Sequence, residues 1–160
     1  MISIVMGSDS DLPVLQGCMD TLRKLEIPYE VTVASAHRTP ERASQLATSA
    51  RERGVKVIIA AAGMAAHLAG VLAAHTTLPV IGVPVDASLN GLDSLLSTVQ
   101  MPPGIPVASM AIGKAGAKNA AIFAAQILGT HDPEIARRLA AMKEEMAREV
   151  VEKAKKVEQL

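Results

Sequence analysis

A chain of 160 residues has the length of one ordinary domain and can bury a core without disulfides. Sixteen basic and sixteen acidic residues cancel, and no basic run breaks that balance, which argues against nucleic-acid binding. Hydrophobic residues make up 49% of the chain but aromatic residues only 1%, so the core has to consist of small and aliphatic side chains. Because such side chains bury little area each, burial between subunits is an expected second source of stability.

The N-terminal segment and the uncharged stretch at residues 57–85 favour a cytoplasmic protein. The first six residues lack a basic flank and lead at once into Gly-Ser-Asp, which is typical of a first strand and not of a signal peptide. Residues 57–85 contain no Asp, Glu, Lys or Arg, but their glycines, prolines and histidines favour a buried strand–helix–strand over a membrane span. Cys18 lies on the apolar stripe of a predicted helix, where we expect an inert buried thiol.

Five short, mostly apolar runs alternate with helical patterns, and they cover residues 2–6, 29–34, 57–61, 80–83 and 107–110. Most are apolar at consecutive positions, as expected of parallel strands covered on both faces. The alternation predicts right-handed crossovers and a three-layer α/β/α sandwich with a parallel five-stranded sheet, of flavodoxin-like or Rossmann-like type.

The helical segments have recognisable ends. An apolar stripe runs from Leu15 to Leu25, and Thr39-Pro40-Glu41 opens a second helix with a cap residue, a first-turn proline and an acid. Further helices are predicted at 65–74, shortly after Gly91, and at 117–128. Asp132-Pro133-Glu134 opens a last helix with apolar residues at near-heptad spacing. We therefore predict an α/β catalytic domain at 1–130 and a C-terminal helix at 131–160 that packs on it or on a neighbouring subunit, a single domain overall.

Ligands of open parallel sheets bind outside the carboxyl ends of the strands, so the loops at those ends are the candidate site. After the first strand, the sequence Gly-Ser-Asp-Ser-Asp at 7–11 offers a tight turn, hydroxyls and free backbone N–H groups at a helix start. An anion cradle and an ordinary turn with a helix cap explain this loop equally well. It is neither the dinucleotide-binding G-x-G-x-x-G fingerprint nor a P-loop.

The loop after the second strand brings Ser35, His37 and Arg38 within four residues. Arginine can grip a phosphate with two parallel N–H bonds, and histidine can donate or accept a proton in a reaction. The alternative is a solvated loop. We favour a bound anion, because cationic side chains at a helix N-terminus gain nothing from its dipole.

The third strand ends in a run of tiny residues at 60–66, interrupted by Met64 and followed by His67 in the first turn of the next helix. Tiny residues let a ligand lie against the backbone, but a lone histidine in an apolar stretch is usually a satisfied core residue. Both interpretations stay open. His75 near a helix end and His131 at a cap are weaker candidates. No metal-ligand spacing occurs, and we expect no metal.

Together, these three loops resemble the class I PurE family, the N5-carboxyaminoimidazole ribonucleotide mutases. Later matching segments lie at 90–95, 99–107, 111–115 and 119–121, and the similarity covers about residues 2–130. The resemblance implies an isomerase of de novo purine (IMP) biosynthesis. It would convert N5-carboxyaminoimidazole ribonucleotide to 4-carboxy-5-aminoimidazole ribonucleotide by decarboxylation, CO2 retention and recarboxylation at C4. The resemblance further implies that no ATP, metal or redox cofactor takes part, and that the protein is a homo-octamer.

Residue by residue, His37 matches the family's general acid–base. Ser10, Ser35 and Arg38 are expected to face the phosphate, and Asp11 the ribose hydroxyls. The other substrate-binding candidates are Ser8, Gly63, His67 and Leu68, with His67 expected to orient the carboxylate.

The third loop departs from the family pattern Gly-Ala-Gly-Gly-Ala-Ala-His-Leu-Pro-Gly. Ala61 replaces the first glycine, Met64 the third, and Ala69 the proline. We expect Met64 either to narrow the CO2 pocket or to strain the backbone if its φ is positive. Two alternatives remain: a carboxylase that adds CO2 directly to aminoimidazole ribonucleotide, and a non-catalytic nucleotide- or phosphate-binding module of flavodoxin-like fold.

Overall fold

The computed structural model describes residues 1–159. Its elements are β1 (Ile2–Met6), α1 (Leu12–Lys24), β2 (Tyr29–Val33), α2 (Pro40–Thr48), β3 (Val57–Gly63), α3 (Leu68–Ala74), β4 (Val80–Val85), α4 (Leu92–Val99), β5 (Ala108–Ser109), α5 (Lys114–Gly129) and α6 (Pro133–Val157). Short 3-10 turns precede α1 (Asp9–Asp11) and α4 (Leu89–Gly91). Every strand and helix predicted from the sequence is present.

All strand pairs are parallel, and the five-stranded sheet has the order β2-β1-β3-β4-β5. This is the doubly wound order in which the direction of winding reverses between β1 and β3. The predicted flavodoxin-like α/β/α sandwich is confirmed. The reversal opens a crevice at the carboxyl ends of β1 and β3, which is where such folds bind ligands.

Two apolar layers cover the sheet, because successive strand residues point to opposite faces. Ile2, Ile4 and Met6 pack with α1 and α5 on one face, and Val5 packs with α2 and α3 on the other. The hydrophobic residues of helix α5 that are fully buried in this core are all alanines, at positions 117, 120, 121, 124 and 125. Small side chains let helices approach closely, which is how a core with almost no aromatic residues is filled.

Several predicted boundaries were wrong. Strand β3 runs two residues further, to Gly63, and β5 has only two residues. The third helix begins at Leu68 and not at residue 65. The N–H groups of Ala66 and His67 bond the carbonyls of Met64 and Ala65 in tight turns, which cannot continue into the helical pattern. His67 therefore occupies the N-cap position and not the first helical turn.

Helix α6 begins as predicted, with the Asp132 carboxylate accepting hydrogen bonds from the N–H groups of Glu134 and Ile135. Leu139 and Met142 pack on the α1–α5 side of the core. The apolar stripe then continues into solvent, since Val150 is 64% exposed. Within residues 1–159, no helix is both long enough and apolar enough to cross a membrane.

Candidate active site

Three loops leave the same edge of the sheet side by side. Met6, the last residue of β1, is level with Val33 of β2 and with Ala61 of β3. Two backbone hydrogen bonds extend this pairing beyond the strands, from Gly7 N–H to the Ala61 carbonyl (2.9 Å) and from Ala34 N–H to the Met6 carbonyl (3.0 Å). The sheet therefore brings together the loops that the sequence singled out.

The loop after β1 is a compact network of its own hydroxyls and carboxylates. Ser8 Oγ accepts a hydrogen bond from the Ser10 N–H (3.3 Å) and lies 2.9 Å from Ser10 Oγ. The Asp11 carboxylate accepts one from the Ser8 N–H (3.2 Å), and Ser8 and Asp11 form a capping box. The interpretation as a turn with a helix cap is therefore confirmed, and anion binding stays a prediction.

Asp11 is a buried acid at this edge, with 8% of its surface exposed. Burial raises the pKa of its carboxyl, and the neighbouring Asp9 adds to the rise, while hydrogen bonds from the Ser8 and Gly7 N–H groups oppose it. An acid kept in this environment costs folding free energy, which marks Asp11 as a candidate for a role outside folding.

In the loop after β2, the Ser35 hydroxyl contacts both the backbone and the side chain of Arg38. Ser35 Oγ accepts a hydrogen bond from the Arg38 N–H (3.2 Å) and lies 3.5 Å from Arg38 Nε. Thr39 Oγ1 accepts a hydrogen bond from the Ser35 N–H (2.9 Å) and donates one to the Ser35 carbonyl. Thr39 therefore occupies the N-cap position of α2, but its side chain does not make the predicted capping hydrogen bond. The support that Thr39 gives to Ser35 was missed, although their i, i+4 spacing was a usable signal.

The guanidinium of Arg38 has no carboxylate within 4.0 Å among residues 1–159 and is exposed. The nearby Arg42 differs, because its guanidinium bonds the Val33 carbonyl (2.9 Å) and Thr32 Oγ1 (2.8 Å). Arg42 supports the edge strand β2, whereas Arg38 is an unneutralised cation beside the N-terminus of α2. That combination favours an anionic ligand.

Two histidines, 30 positions apart in the sequence, meet across the end of β1. His37 Nε2 lies 3.0 Å from His67 Nδ1, and the ring centroids are 5.0 Å apart with the planes inclined at 68°. Both side chains are exposed at this edge. The contact was not predicted, because nothing in either loop alone indicates which residue of the other it faces.

In the loop after β3, Met64 has a φ of +55° and is 60% exposed. Of the two expected effects of Met64, the positive φ is therefore observed, and a narrowed CO2 pocket stays a prediction. Gly63 has no room for a side chain, since a Cβ there would lie 2.9 Å from the Cβ of Ala87. Leu68 is buried in the α2–α3 core, so only its backbone is available to a ligand.

Two features lie away from this edge. Burial raises the pKa of the Cys18 thiol to about 12, as expected of an inert cysteine. An open groove of about 1200 Å³ at the opposite edge is lined by His75, Pro79, Gly104 and Phe123, among others, and contains none of the predicted site residues. Within residues 1–159, no cluster of three or more His, Cys, Asp or Glu residues could hold a metal ion.

Comparison with known proteins gives consistent matches over nearly the whole chain. The family model described as AIR carboxylase matches residues 1–149. A Thermotoga maritima protein named N5-carboxyaminoimidazole ribonucleotide mutase is 58% identical over 99% of this chain and 92% of its own length. The protein of the same name from Bacillus subtilis is 56% identical, covering 95% of this chain and 94% of its own length.

The crystal structure of Treponema denticola PurE is similar over 97% of this chain and 96% of its own, with a TM-score of 0.85 and 29% identity. Sequence and fold therefore agree, and the residues of the shared edge lie within the matched region. The chain belongs to the AIR carboxylase family.

Proposed function

We propose that this protein is an N5-carboxyaminoimidazole ribonucleotide mutase of purine biosynthesis, with His37 as its general acid and base. The observation that carries the proposal is 56–58% identity, over nearly the whole chain, to relatives with that name. The position of His37 beside Arg38, at the edge where doubly wound sheets bind ligands, supports it.

For substrate binding, we assign the phosphate to Ser10, Ser35 and Arg38 and the ribose hydroxyls to Asp11. The unneutralised Arg38 guanidinium supports the first assignment, because a phosphate can accept two parallel N–H bonds from it. The carboxylate oxygens of Asp11 support the second, because an ionised carboxylate only accepts hydrogen bonds and the ribose hydroxyls donate them. Ser8, Gly63, His67 and Leu68 complete the proposed site, Leu68 through its backbone.

In the first half of the reaction, the His37 imidazolium donates a proton to the exocyclic nitrogen of the carbamate. The bond between that nitrogen and the carboxyl carbon breaks, its electron pair stays on nitrogen, and CO2 and neutral aminoimidazole ribonucleotide result. In the second half, the electron pair of the ring enamine forms a bond from C4 to the CO2 carbon. The neutral imidazole then removes the C4 proton and the ring regains aromaticity. His37 ends as the imidazolium with which it began.

The protein's larger contribution is confinement of CO2 next to C4, which replaces a bimolecular encounter by an effectively intramolecular one. The residues available for a small apolar pocket are those of the third loop, where Ala62, Gly63 and Ala65 have little or no side chain. The exposed Met64 side chain stands beside them and is the group most able to narrow that space.

The second candidate is direct carboxylation of aminoimidazole ribonucleotide by CO2, favoured by the family model's description as AIR carboxylase. The motif Ala65-Ala66-His67-Leu68 resembles the mutase branch, which is why we propose the mutase. Separate assays with the carbamate substrate and with the ribonucleotide plus CO2 distinguish the two. Turnover of the second pair alone would overturn the proposed function.

The proposed role of His37 is tested by His37→Asn. We expect kcat to fall by roughly 10²–10⁴-fold, the usual contribution of a general acid–base, while the nucleotide Kd measured by calorimetry changes little. His75→Asn at the far end of α3 is the matched control and should keep the parent rate. Parent-like turnover of His37→Asn would remove His37 from the mechanism.

We further propose that the protein works as a homo-oligomer, of eight subunits by analogy with the family, in the cytoplasm. The exposed apolar residues of α4 and of the second half of α6 support assembly. The division into a catalytic region at 1–130 and a C-terminal helix at 131–160 likewise remains a proposal.

A further inference from the structure

The contact between His37 and His67 restricts which nitrogen of His37 can serve in catalysis. A separation of 3.0 Å between Nε2 of His37 and Nδ1 of His67 is a hydrogen bond. One of the two nitrogens must carry the proton and the other must offer its lone pair. Among residues 1–159, His37 Nδ1 and His67 Nε2 have no hydrogen-bond partner in the protein, so both face outward from the pair.

The direction of this hydrogen bond follows from the proposed chemistry. His37 has to be an imidazolium before it can act as an acid, and both nitrogens of an imidazolium carry protons. In that state His37 Nε2 is the donor, and His67 Nδ1 is the acceptor in a neutral ring whose proton sits on Nε2.

Loss of a proton from His37 then has two possible outcomes. If Nδ1 releases it, the hydrogen bond from Nε2 to His67 persists unchanged through the acid and the base steps. If Nε2 releases it, two lone pairs face each other at 3.0 Å, and His67 has to move its own proton to restore the bond. Only the first path needs no rearrangement of the second ring.

We infer that Nδ1 of His37 is the nitrogen that exchanges the proton with the substrate, and that His67 is a positioning residue that holds His37 in this orientation and tautomer. The inference rests on the proposed function. It gives His67 a role through Nδ1 that differs from the expected contact of this residue with the substrate carboxylate.

The backbone on both sides of His67 is held in place. The N–H of Ala66 bonds the Met64 carbonyl (2.9 Å), and the N–H of His67 bonds the Ala65 carbonyl (2.8 Å). The next residue, Leu68, is anchored in the core with 1% of its surface exposed. His67 is thus fixed on both sides along the chain although its side chain is exposed.

Substitutions of His67 distinguish a role through Nδ1 from a role through Nε2, because different amides replace the two nitrogens. The amide oxygen of His67→Asn lies near the site of Nδ1 and can still accept the hydrogen bond from His37 Nε2. The amide of His67→Gln instead reaches the site of Nε2. We expect His67→Gln and His67→Leu to lower kcat by about tenfold or more with little change in KM, and His67→Asn to retain most of the rate. His75→Asn is again the control on the same helix.

Three kinetic outcomes overturn the inference. Retained activity in His67→Gln with loss in His67→Asn would show that His67 acts through Nε2. Parent-like kcat in all three variants, or equal loss in the Asn and Gln variants, would likewise exclude positioning through Nδ1.

A spectroscopic measurement tests the tautomer without reference to turnover. Solid-state ¹⁵N NMR of protein labelled in its four histidines should show neutral His37 protonated on Nε2 in the parent, and a mixture of tautomers in His67→Leu. A parent protein that turns over the carbamate but holds neutral His37 protonated on Nδ1 overturns the inference alone. A protein with the expected tautomer but without carbamate turnover overturns the proposed function instead.

Discussion

At residue 64, a methionine occupies a backbone conformation that suits glycine. Its φ of +55° is the left-handed region, where the Cβ of an L-residue approaches the following carbonyl oxygen. The side chain is 60% exposed, so little buried contact offsets that cost. The residue begins the turn that presents His67, and this strain therefore lies next to the proposed site.

Replacement of Met64 separates strain from side-chain volume. Both Met64→Gly and Met64→Ala remove the thioether, but only glycine relieves the left-handed backbone. We expect the glycine variant to unfold with a free energy about 1 kcal/mol higher than the alanine variant, measured by chemical denaturation. Equal stabilities would show that the backbone at this residue relaxes to a negative φ. If the thioether narrows the CO2 pocket, both variants should gain carbamate turnover.

At Asp11, as at Met64, a feature of the proposed site lowers the stability of the fold. Burial raises the pKa of its carboxyl, so the folded state binds a proton more tightly than the unfolded state does. Between the usual value of 3.8 and the raised one, stability therefore increases as the pH falls, and the ionised carboxylate costs stability at neutral pH.

Asp11→Asn should accordingly be at least as stable as the parent at neutral pH, because the amide is uncharged and can still accept the Ser8 N–H. The difference in Tm should shrink as the pH falls through the raised pKa. The kcat/KM for the nucleotide should drop by roughly tenfold or more, since hydrogen bonds to a charged acceptor are the stronger ones. A variant that is less stable by the same amount at every pH would contradict this account.

At the scale of single residues, the sequence identified the His37 and Arg38 loop through the types of side chain it combines. It could not identify the His37–His67 pair. That contact depends on the two loops reaching towards each other past the end of β1, and no local pattern encodes the distance across an intervening strand.

At the scale of elements, the identity of every strand and helix followed from periodicity, and their ends followed only where a local signal exists. Asp132-Pro133-Glu134 carries such a signal, and the start of α6 was predicted correctly. The start of helix α3 carries no such signal. The predicted start at residue 65 therefore followed from helix propensity alone, which is high for alanine. The left-handed Met64 and the turn after it override that propensity.

The strands illustrate the same limit. All five residues of β1 are buried, and its bounds were predicted to the residue. Strand β5 lies at the edge of the sheet and keeps only two ladder residues. Because an edge strand has one neighbour, its length depends on how far the chain stays alongside β4, and the apolar run at 107–110 does not reveal where the chain leaves β4.

At the scale of the whole molecule, apolar side chains of α4 and of the second half of α6 are left exposed within residues 1–159. Leu92, Leu96 and Val99 are about half exposed and share one face of α4 by their spacing. Met146, Val150 and Val157 continue the stripe of α6 beyond the part that packs on the core. Low aromatic content predicted a need for burial between subunits, and these surfaces are where the described residues offer it.

Substitution on the exposed face of α4 tests whether this face is a subunit interface. Light scattering at micromolar concentration should give the parent a mass of several chains, and eight times the 16.7 kDa chain mass if the family's octamer holds. Leu96→Glu places a charge in the centre of that face and should lower the mass, because an unpaired charge is costly to bury in an interface. Gln45→Glu on the exposed side of α2 is the matched control and should keep the parent mass. A monomeric parent would contradict the assembly, and a Leu96→Glu protein of parent mass would place the interface elsewhere.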